Sequence, residues 1–207
     1  MKPLRAVTAG LVPPLCAACG RLCHASAVVC ERCARRLEEA EPLAGMGAPG
    51  LDRAWSSAPH DGVARQLVAA LKFRRLLPVA ALMAERIEWL APASLLSGTI
   101  VPVPTAGWRT LQRGFDPTAE ISAALAGRTG LPLCACLRRS GGGRQVGRRR
   151  AERIGRPPRL HLHGQAPRSV LLVDDVLTTG ATLGACAQAL RSGGAVRVVA
   201  ITFTRRI

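Results

Sequence analysis

Aromatic residues are scarce in this sequence, making up 3% of its 207 residues, and tyrosine is absent. Lysine is also rare and occurs only as Lys2 and Lys72. A hydrophobic core is still expected, because 48% of the residues are hydrophobic, but it has to be built mainly from Ala, Val, Leu and Ile. The shortage of aromatic rings argues against a base-stacking platform for single-stranded nucleic acid.

Long apolar runs are missing as well. No stretch approaches the roughly 20 apolar residues that a membrane-spanning helix requires, so no membrane insertion is expected. Residues 1–20 have a basic start and a short apolar patch, but Pro13-Pro14 and the lack of a small-x-small cleavage pattern disfavour a signal peptide. The sequence therefore predicts a cytoplasmic protein with reduced thiols.

Acidic residues are few, with 13 Asp and Glu against 29 Lys and Arg, which gives a formal net charge of +16. Such a surface suits polyanionic partners, either nucleic acid or phosphorylated small molecules. The positive charge is almost entirely Arg, in a chain that is also rich in Ala, Gly and Pro. A GC-rich genome would produce the same bias, so charge alone does not choose between a binding role and compositional drift.

Two parts are predicted along the chain. A Pro- and Gly-rich stretch at 41–50 has the composition of a linker, and we place the boundary between a module at 1–45 and a domain at 46–207. Beyond the linker, strand and helix patterns alternate, which predicts an α/β domain with a mostly parallel sheet and helices on both faces. Strands are predicted at 53–58, 99–104, 131–137, 169–173 and 195–203, and helices at 62–73, 77–90, 117–127 and from about 183 to 192, with a mobile loop at 138–159.

The cysteines are concentrated near the N-terminus. Cys16-x-x-Cys19 and Cys30-x-x-Cys33 are two pairs separated by ten residues, a spacing that predicts a closed tetrahedral zinc site with a structural role. Cys23 and His24 lie between the pairs and are alternative ligands, although both pairs are already complete. A redox pair or buried free thiols are the other interpretations. Outside this cluster, the remaining cysteines are expected to be small buried hydrophobes: Cys134, Cys136 and Cys186.

The segment 170–182, Val-Leu-Leu-Val-Asp-Asp-Val-Leu-Thr-Thr-Gly-Ala-Thr, carries most of the functional information. A buried strand ends in Asp174 and Asp175, at the sheet edge where ligands bind in open parallel sheets. The turn that follows, Thr178-Thr179-Gly180-Ala181-Thr182, leads directly into a helix. Its N–H groups, its hydroxyls and the helix dipole favour an anion there, and Gly180 permits close approach of the backbone.

A phosphate cradle beside two carboxylates suits one ligand class. The carboxylates would repel the phosphate but accept hydrogen bonds from vicinal sugar hydroxyls, and a phosphate next to a diol describes ribose 5-phosphate. In the simplest alternative, the aspartates only cap the following helix and the threonines form a plain turn. A response-regulator-like acidic pocket leaves the threonine turn unexplained, and a P-loop is excluded because its glycine-rich lysine motif is absent.

The segment 170–182 resembles the phosphoribosyl pyrophosphate signature of type I phosphoribosyltransferases, and nearly the whole chain resembles the ComF family, which includes GntX-like proteins. The resemblance follows the family's order of motifs: the four-cysteine module, Leu71-Lys72-Phe73, Val101-Pro-Val-Pro104, Arg113-Gly114-Phe115 and the Asp174 segment. It implies binding of phosphoribosyl pyrophosphate with Mg²⁺. It also implies a role in DNA uptake, with single-stranded DNA, a competence helicase and a second copy of the chain as partners.

Residue roles also follow from this resemblance. Pro104-Thr105-Ala106-Gly107 matches the loop that grips pyrophosphate, and Arg109 and Arg113 follow it. Arg139 and Arg150, in a mobile loop that also includes Gln145, Gly147 and Arg153, match positions that neutralise pyrophosphate during transfer to a nitrogen acceptor. The chain departs from the family at Asp116-Pro117, where Asn-Gln is usual, and at 154–159, which bears on substrate contacts. A non-catalytic ComF-type protein that binds DNA or a helicase is the alternative.

Histidine is not predicted to act in this chemistry. None of the four histidines lies in an obvious acid–base arrangement in the sequence. His161 and His163 are best interpreted as alternate residues of a short strand.

Overall fold

A five-stranded sheet forms the centre of the protein, seen in a computed structural model that describes residues 14–45, 48–139 and 160–207. Its strands are β1 (Leu43–Ala44), β2 (Arg53–Pro59), β3 (Thr99–Pro102), β6 (Ser169–Leu177) and β7 (Arg197–Arg205). Their order is β1-β2-β7-β6-β3, and every pairing is parallel except that of β1 with β2. A separate antiparallel ribbon pairs β4 (Leu137–Arg139) with β5 (Leu160–Leu162).

Helices cover both faces of the sheet, as the alternating sequence pattern predicts. Alternate residues of β6 enter two different cores, with Leu171 and Val173 on one side and Val170 and Leu172 on the other. The helices are α1 (Glu31–Glu38), α2 (Gly62–Arg74), α3 (Pro78–Leu90), α4 (Gly107–Arg113), α5 (Pro117–Thr129) and α6 (Ala181–Ser192). The first core is covered by α1, α2, α3 and α5, and the second by α6.

The cysteine-containing segment packs directly on the rest of the chain. Cys16, Cys33 and Leu37 are buried in the first core together with residues of α2 and α3. Arg74 of α2 donates to the carbonyl of Ala17 at 3.1 Å, and Arg86 of α3 donates to the carbonyl of Ala40 at 2.5 Å. The division at 45/46 stays a prediction.

Three local predictions require correction. The segment 131–137 does not form one strand: Leu133 makes a single bridge to Ile100, and only residues from Leu137 onward enter a ribbon. The predicted linker contains β1, which adds an antiparallel edge to the sheet. Helix α4 has too little apolar periodicity to be detected in the sequence, and Gly114 ends it with a φ of 74°.

The ends of the other helices follow local chemistry. The Asp116 side chain accepts from the Thr118 N–H, and Pro117 occupies the first position of α5, as predicted. This helix continues to Thr129, slightly beyond the predicted end, and stops at Gly130, whose φ is 70°. None of the helices within the described ranges is long and apolar enough to cross a bilayer.

Candidate functional site

The four predicted cysteines meet at one point in the N-terminal segment. The sulfur atoms of Cys16, Cys19, Cys30 and Cys33 all lie within 4.8 Å of one another, and 3.7 Å separates the sulfurs of Cys19 and Cys30. A tetrahedron with zinc–sulfur bonds of 2.3 Å has edges of about 3.8 Å, so this thiol set fits a zinc ion. The cluster can therefore hold a metal such as zinc.

Electrostatics inside the cluster also favour a cation. A hydrogen bond from the Arg21 backbone lowers the pKa of Cys19 to about 6, whereas burial raises the pKa of Cys33. The Cys33 thiol therefore ionises less readily than the Cys19 thiol unless a positive charge lies beside it. Cys23 stays outside the cluster, with its thiol against the carbonyls of Pro14 and Ala27. His24 is exposed and pairs with Ser26.

A second candidate site is an open cleft of about 640 Å³ at the C-terminal edge of the sheet. Strands β2, β3, β6 and β7 run parallel, so their carboxyl ends meet at this edge. The cleft wall includes eight residues predicted from the sequence to form the site: Pro104, Thr105, Ala106, Arg139, Asp174, Asp175, Thr178 and Thr182.

The other residues predicted for the site lie beside the cleft or outside the residues that the structure describes. Gly107 begins α4 and Ala181 begins α6, while Thr179 and Gly180 belong to the turn that borders the cleft. The side chain of Arg109, the predicted catalytic Arg150 and the rest of the loop at 140–159 lie outside the described residues. Of the three cysteines predicted to be buried, Cys136 and Cys186 are buried and Cys134 is half-buried. Burial raises the pKa of Cys136 to about 11.

The two aspartates lie in the C-terminal half of β6, which continues beyond the predicted strand to Leu177, and they have different partners. Asp175 forms an ion pair of 2.6 Å with Lys72, whose side chain is 22% exposed. Asp174 accepts from the Asp175 N–H at 2.8 Å and from the Thr118 hydroxyl at 3.4 Å. Burial, and next the neighbouring Asp175 charge, raise the pKa of Asp174 well above its ordinary value of 3.8. The carboxylate oxygens of this pair are strong hydrogen-bond acceptors, and leaving them without donors costs stability.

The turn after β6 is open on the side of its threonines. Thr178 and Thr179 are exposed, and within the described part of the chain their N–H groups donate to no backbone carbonyl. Gly180 has a φ of 75°, which is left-handed backbone that glycine adopts without strain. A side chain there would also meet Ala48 at 3.2 Å, so the predicted close approach at Gly180 is made partly by the chain itself.

Asp116 connects the predicted pyrophosphate loop to the aspartates. It accepts from the Thr105 hydroxyl at 2.8 Å, from the Thr105 N–H at 3.3 Å and from the Thr118 N–H at 3.0 Å. Thr118 in turn donates to Asp174. Asp116 therefore supplies an acceptor that fixes this loop against α5.

Several cleft residues were missed or given no role in the sequence analysis. Lys72 is one of only two lysines in an arginine-rich chain, a signal that would have singled it out. His60 follows β2 and carries no local motif, so its place in the cleft is set by the sheet order. Phe73, 73% exposed, lies on the wall with the Arg113 guanidinium 5.3 Å from its ring centre.

No protein-family model and no curated protein matches the chain. Among solved structures, it is similar to a glutamine phosphoribosylpyrophosphate amidotransferase from B. subtilis, with 22% identity and a TM-score of 0.39, over 64% of this chain and 26% of that one. An orotate phosphoribosyltransferase from Aeropyrum pernix has 23% identity and a TM-score of 0.38, over 66% and 62% of the two chains.

A third structure, described as the allosteric regulatory enzyme of purine biosynthesis, has 21% identity and a TM-score of 0.38, with 59% of this chain and 24% of that one covered. The chain thus spans less than two thirds of the length of each. At these TM-scores the similarity carries no functional weight, and the assignment of function depends on the site geometry.

Proposed function

We propose that the chain is a type I phosphoribosyltransferase-like protein of the ComF kind. In this proposal the cleft binds phosphoribosyl pyrophosphate with Mg²⁺ and transfers the phosphoribosyl group to a nitrogen acceptor, in a role linked to DNA uptake. One observation carries the proposal: two carboxylates and a threonine-lined turn at a helix N-terminus lie side by side in one cleft, which the Pro104–Ala106 loop also lines. This arrangement matches a phosphate next to a diol.

The turn at 178–182 would hold the 5-phosphate. Thr178 and Thr182 line the cleft, and α6 begins at Ala181, so its first N–H groups have no partner within the helix. The positive end of the helix dipole adds to this attraction for an anion.

The aspartates would receive the ribose hydroxyls. Both Asp174 and Asp175 line the cleft, and each keeps a carboxylate oxygen with no hydrogen-bond partner among the described residues. Hard oxygen donors of this kind suit Mg²⁺, which when bound with the ligand would screen the charge of the departing pyrophosphate.

The remaining charges of the cleft would face the pyrophosphate. The loop at Pro104–Ala106 borders it, and Arg113 and Arg139 add positive charge to the same wall. In the transfer, the acceptor nitrogen forms a bond to the anomeric carbon while the carbon–oxygen bond to pyrophosphate breaks. The protein contributes mainly position and preorganised charge, because little covalent work falls to its side chains.

A double substitution tests this proposal. Asp174→Asn with Asp175→Asn is expected to lower the affinity for phosphoribosyl pyrophosphate about tenfold or more, because each hydrogen bond to a charged group contributes about 1.5–3 kcal/mol. Isothermal titration calorimetry with Mg²⁺ measures the effect. Glu39→Gln, an exposed carboxylate outside the cleft, is the control and should bind as the wild type does. Unaltered affinity in the double variant would exclude the sugar-phosphate site.

The second candidate is a non-catalytic ComF-type protein that binds DNA or a helicase in the cytoplasm, alone or as a homodimer. The net charge of +16 favours this candidate. So does Asp116, at a position where the ComF family usually has Asn, because its carboxylate binds Thr105 and Thr118 of the same chain. Release of pyrophosphate in the presence of Mg²⁺ distinguishes the candidates. Binding of phosphoribosyl pyrophosphate without release under any acceptor would favour the second.

A further inference from the structure

His60 lies in the cleft although no motif marks it. It follows the last residue of β2, and its N–H donates to the carbonyl of Arg205 at 2.7 Å. This bond fixes the backbone at the sheet edge, so the imidazole is held in the wall of the cleft near the ion pair of Lys72 and Asp175.

A hydrogen-bond chain favours one tautomer of the His60 ring. His60 Nδ1 is 2.8 Å from the hydroxyl of Thr204, and that hydroxyl lies 3.3 Å from the carbonyl of Asp175, to which it can donate. When Thr204 donates its single proton to Asp175, its oxygen accepts from His60, and the proton of the neutral ring resides on Nδ1. In the neutral ring, Nε2 is then left with a lone pair and forms no hydrogen bond within the described ranges.

The surroundings keep the ring neutral. Burial, and next the charge of Lys72, lower the pKa of His60, with Arg206 and Arg65 acting in the same direction and Asp175 opposing them. Each carboxylate of the cleft already has a partner on one oxygen, Asp175 with Lys72 and Asp174 with Thr118. His60 is the imidazole base among the residues that line the cleft.

We propose that His60 is the general base that accepts the proton of the nitrogen acceptor, an inference that rests on the proposed transfer reaction. As the nitrogen–carbon bond forms, the carbon–oxygen bond to pyrophosphate breaks and its electron pair leaves on the pyrophosphate oxygen. The N–H proton passes to His60 Nε2 and gives an imidazolium, which later returns the proton to solvent. The acceptor class is therefore an amine or heterocyclic nitrogen that loses a proton during attack.

The tautomer is tested first, and without any ligand. Long-range ¹H–¹⁵N spectra of the labelled full chain, with His60 assigned through His60→Gln, should show a protonated Nδ1 and an unprotonated Nε2. Thr204→Val removes the acceptor and should shift the proton to Nε2, and Thr204→Ser should restore the wild-type state. A protonated Nε2 in the neutral wild-type ring, or no change in Thr204→Val, would overturn the proposal.

The base is tested by pyrophosphate release from phosphoribosyl pyrophosphate with Mg²⁺ and ammonium chloride across a range of pH. His60→Gln should lower turnover by about 10²- to 10⁴-fold and leave ligand affinity unchanged, and its pH profile should keep only the rise caused by deprotonation of ammonium. The exposed His163→Gln is the matched control.

The outcomes separate the two proposals. Turnover of His60→Gln at the wild-type rate would overturn the base alone, as would a wild-type protein that binds the ligand but never releases pyrophosphate. Failure of the wild type to bind phosphoribosyl pyrophosphate would instead remove the proposed function on which the base depends.

Discussion

Asp174, which we propose as a ligand-binding residue, is expected to weaken the fold when no ligand is bound. Its raised pKa means that the folded protein holds this proton more tightly than the unfolded chain, whose carboxyl titrates near 3.8. Its stabilising contribution is therefore full below the unfolded pKa and is lost as the pH rises through the folded-state pKa. Above that range, the ionised carboxylate next to Asp175 costs stability when no ligand is bound.

We therefore expect Asp174→Asn to raise the melting temperature of the ligand-free protein at neutral pH, while it lowers ligand affinity. The gain should shrink as the pH falls toward 4, because the wild-type carboxyl is then protonated and uncharged. Thermal unfolding from pH 4 to 8 measures both effects. Glu39→Gln, at an exposed position, is the control for the substitution itself. A lower melting temperature of Asp174→Asn at neutral pH would contradict the stability cost that we assign to the ionised Asp174 carboxylate.

Asp116 acts on two contacts that belong to different elements. Asp116→Ala should lower the free energy of unfolding by about 1 kcal/mol through loss of the cap of α5. It should also weaken ligand binding, because the Thr105 loop loses both of its hydrogen bonds to the carboxylate. Chemical denaturation and calorimetry measure the two effects.

The control for this substitution lies at another helix start. Asp61 occupies the same cap position of α2 but its side chain makes no capping hydrogen bond, so Asp61→Ala should change stability much less. Equal losses in the two variants would show that helix dipole effects, and not the bonds of Asp116, are responsible.

We expect the N-terminal element to depend on a bound metal more than on its own helix. Helix α1 has eight residues, too few to be stable in isolation, and the buried Cys33 lies within it. We expect one zinc ion per chain, and chelation should lower the melting temperature because this segment shares the first core with α2 and α3.

Metal analysis with substitutions checks the assignment. Cys19→Ser should lose zinc, whereas Cys23→Ser should keep one ion per chain, since the Cys23 thiol faces the carbonyls of Pro14 and Ala27. Loss of zinc from Cys23→Ser at the same level as from Cys19→Ser would place Cys23 among the ligands.

The charge of the whole molecule gives a separate prediction for DNA. If the net charge of +16 supports binding of nucleic acid, the binding constant for single-stranded DNA should fall as salt is added. The logarithm of that constant should fall linearly with the logarithm of the salt concentration, with a slope of roughly −0.7 for each phosphate contacted. Fluorescence anisotropy between about 50 and 200 mM salt measures this slope. An affinity that does not change with salt, or no binding at low salt, would show that the arginine residues do not carry DNA binding.

Local chemistry was enough to predict much of this protein. The strand at 169–173, the two adjacent aspartates and the threonine turn are contiguous, and so are the two cysteine pairs, so their grouping needed no knowledge of the rest of the chain. The cap of α5 is likewise a contact between neighbours, Asp116 and Thr118. The failure at 131–137 has the opposite cause, because whether those residues pair depends on β3 and β5, which lie elsewhere in the chain.

Contacts across the sheet were decided only by the tertiary structure. Asp175 meets Lys72, and His60 meets Thr204, over separations of more than one hundred residues, because β7 is inserted between β2 and β6. Composition and spacing specify which residues can bind a phosphate, a diol or a metal. The order of the parallel strands determines which charged and proton-accepting groups surround them, since that order brings the carboxyl ends of distant segments to one edge.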